Sequence, residues 1–268
     1  MRKRPNILTI AGFDPSNGAG LTADVKTFET LKCYGLSVCT ANTVQDDVEF
    51  KACHWMPVDV VLHQVEVLFK RFQINYVKIG IVENWETLSL LVNKLLELNS
   101  GVKIVLDPVL KSSSNFDFHS NVSSNDFCHT ELVEADKNCN ENKFDKILEK
   151  IYLLTPNYNE IEQLYPEKSI KETIKHISSK TNLFLKGGHH PDKLGKDELF
   201  TSEGKQFSLN AKLKNCSEKH GSGCVLSSAI TSYLALGFPL LKACYRGKRY
   251  TEKFLSSNKS LLGFHSKK

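Results

Sequence analysis

The sequence predicts an α/β fold, a mostly parallel sheet with helices on both faces, and three observations support this. Short β-branched or apolar runs alternate with segments whose apolar residues recur every three to four positions. The runs are apolar on consecutive residues, as strands covered on both sides must be. The chain has 268 residues and no internal repeat, enough for one large domain with a full core, read here as a single domain over 1–268.

The elements follow in order. "NILTIAG" (6–12) starts the sheet and runs into the glycine-rich turn "FDPSNGAG". A helix then begins near Leu21, with Leu21, Val25, Phe28 and Leu31 on one face. "LSVCTAN", "YVKIGIV", "VKIVLDPV", "IYLLTPN" and "LFLKGG" supply five more strands. Helical patterns fill 59–72 and 85–98, the second carrying Trp85, Leu88, Leu91, Val92, Leu95 and Leu96. The Ser- and Asn-rich stretch 112–143 has no periodicity and reads as a flexible loop or lid, with a tolerated surface insertion as the equal alternative. The run 225–241 is apolar but holds Ser, Thr and Tyr and is broken by Gly237 and Pro239, which predicts a buried core helix and no membrane span.

Composition narrows the function classes. A hydrophobic fraction of 41%, a charged fraction of 24% and a net charge of +5 are those of an ordinary globular protein. Lys and Arg are scattered without an aromatic-interleaved basic stripe, so neither nucleic acid nor a membrane surface is an expected partner. The first apolar stretch, about six residues, is too short for a secretory signal. Eight cysteines without a C-x-x-C spacing read as reduced cytosolic thiols, mostly small buried hydrophobes. The His–Cys neighbours lack zinc-type spacing.

In open α/β sheets, ligands bind beyond the C-terminal ends of the strands. Those ends here carry "FDPSNGAG", Gln45-Asp46-Asp47, Ile81, Asp107-Pro108, Asn157 to Glu160 and Gly187-Gly188. "HGSGC" (220–224) is a glycine turn entering a helix, where free amides and the helix dipole suit a phosphate. A packing turn explains the glycines equally well. Cys224, on the first helical turn, should have a lowered thiol pKa. It reads as a small buried residue, a nucleophile paired with His220, or an acceptor for a substrate hydroxyl proton.

The turn at 11–20 is a second possible phosphate loop, although Asp24 on the helix after it suits a ligand with N–H donors. Asn157 and Glu160 share one face of a turn and can serve one hydrated Mg²⁺, or else form a capping box. Lys186 with its two glycines suits a triphosphate, or is a surface turn.

Read together, "LTIAGFDPSNGAGLTADVKTFETLKCYGLSVCTANTVQ", "VKIGI", "VLDPV", "LLTPNYNEIEQL", "LKGGH" and "HGSGCVLSSAI" resemble the hydroxymethylpyrimidine/phosphomethylpyrimidine kinases of thiamine biosynthesis. The resemblance runs from about residue 6 to 235 and fails mainly in 112–143. It implies the ribokinase-like fold, a three-layer α/β/α sandwich, and ATP-dependent phosphorylation of 4-amino-5-hydroxymethyl-2-methylpyrimidine and of its monophosphate.

By position it implies that Gly12, Asp24, Gln45 and Ile81 line the pyrimidine pocket and that Asp107 and Glu160 lie near Mg²⁺. Asn157, Lys186 and Gly187 would serve the nucleotide. Gly221, Ser222 and Gly223 would form an anion hole, with Cys224 as the base. A cytoplasmic homodimer acting on a small molecule is expected.

The sequence departs from the family pattern at several places. Phe13 stands for a small residue, Ile81 for Met, "VQDD" for "AQNT", and "LKSSSN" for "AKSGD". Asp46 and Asp47 are thereby expected near the acceptor, where they would oppose a phosphorylated one. The alternatives are a pyridoxal-type kinase of the same fold, a pyrimidine-binding regulator without turnover, and a Cys-dependent hydrolase.

Overall fold

The computed structural model describes residues 4–109, 143–189, 195–213 and 216–266. The stretch 112–143, apart from residue 143, lies outside them. Strand β1 (Asn6–Phe13) leads into α1 (Gly20–Thr30), β2 (Tyr34–Gln45), β3 (Phe50–Trp55) and α2 (Val58–Arg71). Next come β4 (Ile74–Ile79), α3 (Trp85–Leu98), β5 (Lys103–Leu106), a short helix α4 (143–148) and β6 (Leu153–Leu154). Then follow α5 (Tyr158–Leu164), α6 (Ile170–Ser178), β7 (Asn182–Leu185), β8 (Asp197–Phe200), β9 (Gln206–Leu209), α7 (Ser222–Ala235) and α8 (Leu240–Leu255).

One sheet runs in the order β3-β2-β1-β4-β5-β6-β7-β8-β9. All pairs from β2 through β7 are parallel. The outer pairs β2–β3, β7–β8 and β8–β9 are antiparallel. The six predicted strands are those inner six. The three unforeseen ones are edge or near-edge strands such as "DELF" and "QFSL", short and partly exposed, so they never form an apolar run.

Alternation along each strand decides what faces which helix layer. Leu8, Ile10, Val77, Ile79, Ile104, Leu106, Leu154, Leu183 and Leu185 pack against α2 to α6. Val105, Leu153 and Phe184 point the other way, to α7 and α8, and Ile7 packs on Phe28 of α1. A fully buried aliphatic side chain contributes about 1.5–3 kcal/mol. Dozens of them offset three buried Lys–Asp pairs among the described residues, whose desolvation costs several kcal/mol per ion.

Helix boundaries agree with the sequence reading, with one exception. The run 225–241 is the end of α7, a turn with Gly237 at φ 86°, and the start of α8 after Pro239. Among the described residues no helix is long and apolar enough to cross a membrane. The described cysteines are free thiols, but only Cys33 and Cys244 are buried. Cys39, Cys53 and Cys224 are partly so and Cys216 is exposed, so burial is rarer among them than expected.

Candidate active site

Gly221 caps α7 at φ 72°, a left-handed conformation that favours glycine. A Cβ there would lie 2.1 Å from the Gly18 carbonyl oxygen, so glycine is required for space as well. The Ser222 amide donates to the Lys219 carbonyl at 3.3 Å. The amides of Gly223 and Cys224 meet no acceptor among the described residues, as expected for the first turn of a helix. The Lys186 ammonium comes within 3.5 Å of where a Cβ on Gly223 would sit. Two open amides and a buried cation thus share one spot.

The glycine turn after β1 is already filled. The Asp14 carboxylate accepts the amides of Ser16 (2.8 Å), Gly18 (3.1 Å) and Ala19 (2.8 Å) and the Ser16 hydroxyl. His220 Nε2 adds a fourth partner at 2.9 Å. Burial opposes the charge on Asp14, yet His220, Ser16 and the amides hold its carboxyl below the usual range. The expectation of a second phosphate loop is corrected, because an internal anion sits there. The His220 contact uses Nε2 only, and no hydrogen bond joins His220 to Cys224 among the described residues.

A charged cluster lies beneath the first turn of α7. Asp107 is fully buried; its Oδ1 accepts from Lys186 (2.7 Å) and Thr155 (3.2 Å), and its Oδ2 from Ser227 (3.0 Å). Burial works against its ionisation, but Lys186 and Lys78 keep the carboxyl below its ordinary pKa. Asp107 therefore does not fit as a direct Mg²⁺ ligand. Asn157 and Glu160 form a reciprocal capping box on α5, so the Asn157 side-chain oxygen is occupied by its own helix.

Glu160 Oε2 lies 3.4 Å from Lys186, and its Oε1 has no hydrogen bond among the described residues. Burial is the main force raising the Glu160 pKa. Of the two expected metal ligands, only Glu160 fits an ion carried on phosphates. Among the described residues no cluster of three acidic, His or Cys side chains forms a metal cage. The Gly187 amide is likewise occupied, donating to Asp197 at 2.7 Å, and Asp197 pairs with Lys248 at 2.7 Å.

On the acceptor side the structure brings three of four expected residues together. A Cβ on Gly12 would lie 2.4 Å from Ile81 Cδ1. Thr40 donates to the Ile81 carbonyl, Thr43 to that of Phe13, and Gln45 to the Thr43 hydroxyl at 2.8 Å. Asp24 is the correction. It is 0% exposed and accepts from Thr9 (2.6 Å), Lys78 (2.8 Å) and Ser228 (2.6 Å), so its carboxylate is taken up inside the protein. Asp46 is exposed and caps the amides of Val48 and Glu49 in the β2–β3 turn, so it shapes the hairpin.

Cys224 is corrected too. Burial pushes its thiol up to about 11, and the opposing effects of Lys78 and the Gly20 amide do not prevent it. The lowering expected from the helix terminus is outweighed by the loss of water.

Sequence reasoning passed over Lys78, Asp14, Ser227, Ser228 and the Asp197–Lys248 pair. Lys78 had a signal: a lone charge inside "YVKIGIV", at a position that must face a helix layer.

The profile of the phosphomethylpyrimidine kinase family matches residues 14–267. A hydroxymethylpyrimidine/phosphomethylpyrimidine kinase of Staphylococcus aureus is 31% identical over 258 residues, covering 92% of this chain and 87% of that protein. One from Saccharomyces cerevisiae is 32% identical over 93% of this chain, and the chain spans only 45% of its length.

The crystal structure of phosphomethylpyrimidine kinase from Clostridium difficile superposes with a TM-score of 0.71 at 30% identity, over 92% of this chain and 98% of that one. Pyridoxal kinase from Staphylococcus aureus in complex with ADP gives a TM-score of 0.74 at 26% identity, over 95% and 89%. Likeness in sequence and in sheet architecture extends over nearly the whole chain, and the chain belongs to the phosphomethylpyrimidine kinase family of thiamine biosynthesis.

Proposed function

We propose that residues 1–268 act as one kinase domain that phosphorylates the hydroxymethyl group of 4-amino-5-hydroxymethyl-2-methylpyrimidine from ATP, and then its monophosphate. The observation that carries this reading is the open pair of amides at Gly223 and Cys224 beside the Lys186 ammonium. Phosphoryl transfer needs chiefly positioning and charge neutralisation.

The acceptor lies against Gly12, Ile81 and Gln45, and its oxygen attacks the γ-phosphorus as the bond to the ADP oxygen breaks. The amides and Lys186 take the developing charge, and Cys224, once its own proton has left to solvent, receives the hydroxyl proton at Sγ. Glu160 is the side chain that would meet a Mg²⁺ carried on the phosphates, and such an ion would supply charge neutralisation there. With Asp46 turned into its own hairpin, the objection to a phosphorylated acceptor weakens. A cytoplasmic homodimer completes the proposal.

The test is ADP release from Mg-ATP with the hydroxymethylpyrimidine, its monophosphate or pyridoxal as acceptor. Release with both pyrimidines is expected. Activity with pyridoxal alone would move the reading to a vitamin B6 kinase, in keeping with the pyridoxal kinase neighbours. Tight pyrimidine binding without any release would make the chain a regulator.

A further inference from the structure

The chain continues past α8, and residues 257–265 form a strap without helix or strand that meets the residues just before α7. The buried Lys219 donates its ammonium to the Asn258 carbonyl at 2.8 Å and to Ser217 Oγ at 3.1 Å. Ser217 Oγ donates to the same carbonyl at 2.8 Å. The His220 amide donates to the Leu261 carbonyl at 2.9 Å. Leu262 reaches the other glycine turn: a Cβ on Gly18 would lie 2.8 Å from Leu262 Cδ2 and 2.5 Å from His220 Cδ2.

The strap is held in shape and anchored at its far end. Asn258 Nδ2 and Ser260 Oγ both donate to the Leu262 carbonyl, at 2.9 and 3.0 Å, and the Phe264 amide donates to Ser257 Oγ at 2.9 Å. The His265 ring packs on Phe254 of α8 with centroids 4.9 Å apart. Its Nδ1 lies 3.1 Å from the Tyr250 hydroxyl of α8 and 3.4 Å from the Thr27 hydroxyl of α1. A Cβ on Gly263 would be 2.6 Å from Phe254 Cε2, so the strap backbone itself rests on that ring.

These contacts lead into the site. The Ser222 amide donates to the Lys219 carbonyl and the Val225 amide to that of Gly221, so residues 219–221 fix where the first turn of α7 begins. Where the open amides of Gly223 and Cys224 point therefore depends on what holds Lys219 and His220. Resting on the kinase reading above, we propose that the strap, through Asn258, Leu261 and Leu262, is a positioning element for phosphoryl transfer that holds the 219–221 turn and so aims those amides. Asp14 holds the His220 ring, and the strap holds the His220 backbone and the Lys219 side chain.

The test joins amide hydrogen exchange of the ligand-free protein, read by mass spectrometry on peptides spanning 217–226, with kcat and KM for Mg-ATP and the hydroxymethylpyrimidine. Leu262→Ala removes the contact on Gly18, and His265→Ala releases the far anchor. Each should speed exchange in 217–226 about tenfold, the scale of one backbone hydrogen bond, while peptides of β4 and β5 keep wild-type rates. The amides meet charge that develops in the transition state, so the loss belongs in kcat and not in KM. A fall in kcat of about 10- to 100-fold is expected, the upper figure being that of a 1 Å misplacement. Leu262→Met keeps the side-chain volume and should restore both readouts.

A strap that only covers α8 would lower the melting temperature of the variants and leave exchange in 217–226 and kcat unchanged. That result overturns the proposal, as does a loss carried by KM alone. If His265→Ala does not fold, Leu262→Ala decides alone, because Leu262 is 36% exposed and its truncation leaves the core intact. The exchange measurement uses no nucleotide or acceptor. A failure of the kinase reading would show as absent ADP release in the wild type, and exchange would still judge the strap.

Discussion

Two glycine-rich turns meet at this site, each leading into a helix, and they behave in opposite ways. The turn at 14–20 closes its amides around Asp14, while the turn at 220–224 leaves those of Gly223 and Cys224 open. They touch where Gly221 packs on the Gly18 carbonyl, and His220 bonds across to Asp14. A glycine turn at a helix start is therefore an anion site only when the chain does not supply its own anion. Asp14 makes the first turn a rigid buttress, and the second inherits its position from it.

The comparison is broken most severely at the open turn. Cys224→Ala should lower kcat about 10²–10⁴-fold, the usual contribution of a general base. ATP affinity, measured by calorimetry, should be unchanged. Unchanged turnover would remove the cysteine from the mechanism.

Gly221→Ala forces a side chain into a left-handed conformation and against the Gly18 carbonyl. It should cost about 10²–10³ in kcat, as losing one anion-hole donor does, together with a lower melting temperature. A loss of stability with full turnover would mean that the amides are not used.

The closed turn should respond in stability first. Asp14→Asn should cost about 3 kcal/mol in urea unfolding at neutral pH, the scale for removing a buried ionic partner. The carboxyl has a depressed pKa in the folded protein, so its contribution is complete above the unfolded value. It fades as pH falls below about 4 and through the folded value. The gap between wild type and variant should narrow in acid. A constant gap would show that shape, and not charge, closes the turn.

Much of the fold was legible because the inner strands are covered on both faces and so must be apolar throughout. The outer strands Phe50–Trp55, Asp197–Phe200 and Gln206–Leu209 were not, because they are short and partly exposed and the pattern dissolves. The site was legible in its location: strand ends bring Gly12, Ile81, Asp107, Glu160, Lys186 and the "HGSGC" turn to one edge. Which groups are available for ligands was not legible. Asp24, Asp107, Asn157 and Gly187 were expected at ligands, and the two carboxylates, the Asn157 side-chain oxygen and the Gly187 amide are engaged within the protein.

The sequence by itself determined the parallel sheet, the order of its motifs and the family, because periodicity and spacing are properties of a linear chain. It also determined that a glycine turn and a cysteine open α7. Only the tertiary structure decided the state of that cysteine. Its environment is set by Lys78, Asp24 and Asp107, which lie on three other elements, and by the loss of water around it. A helix terminus is a local feature of sequence, but desolvation depends on everything packed nearby, and here desolvation prevails.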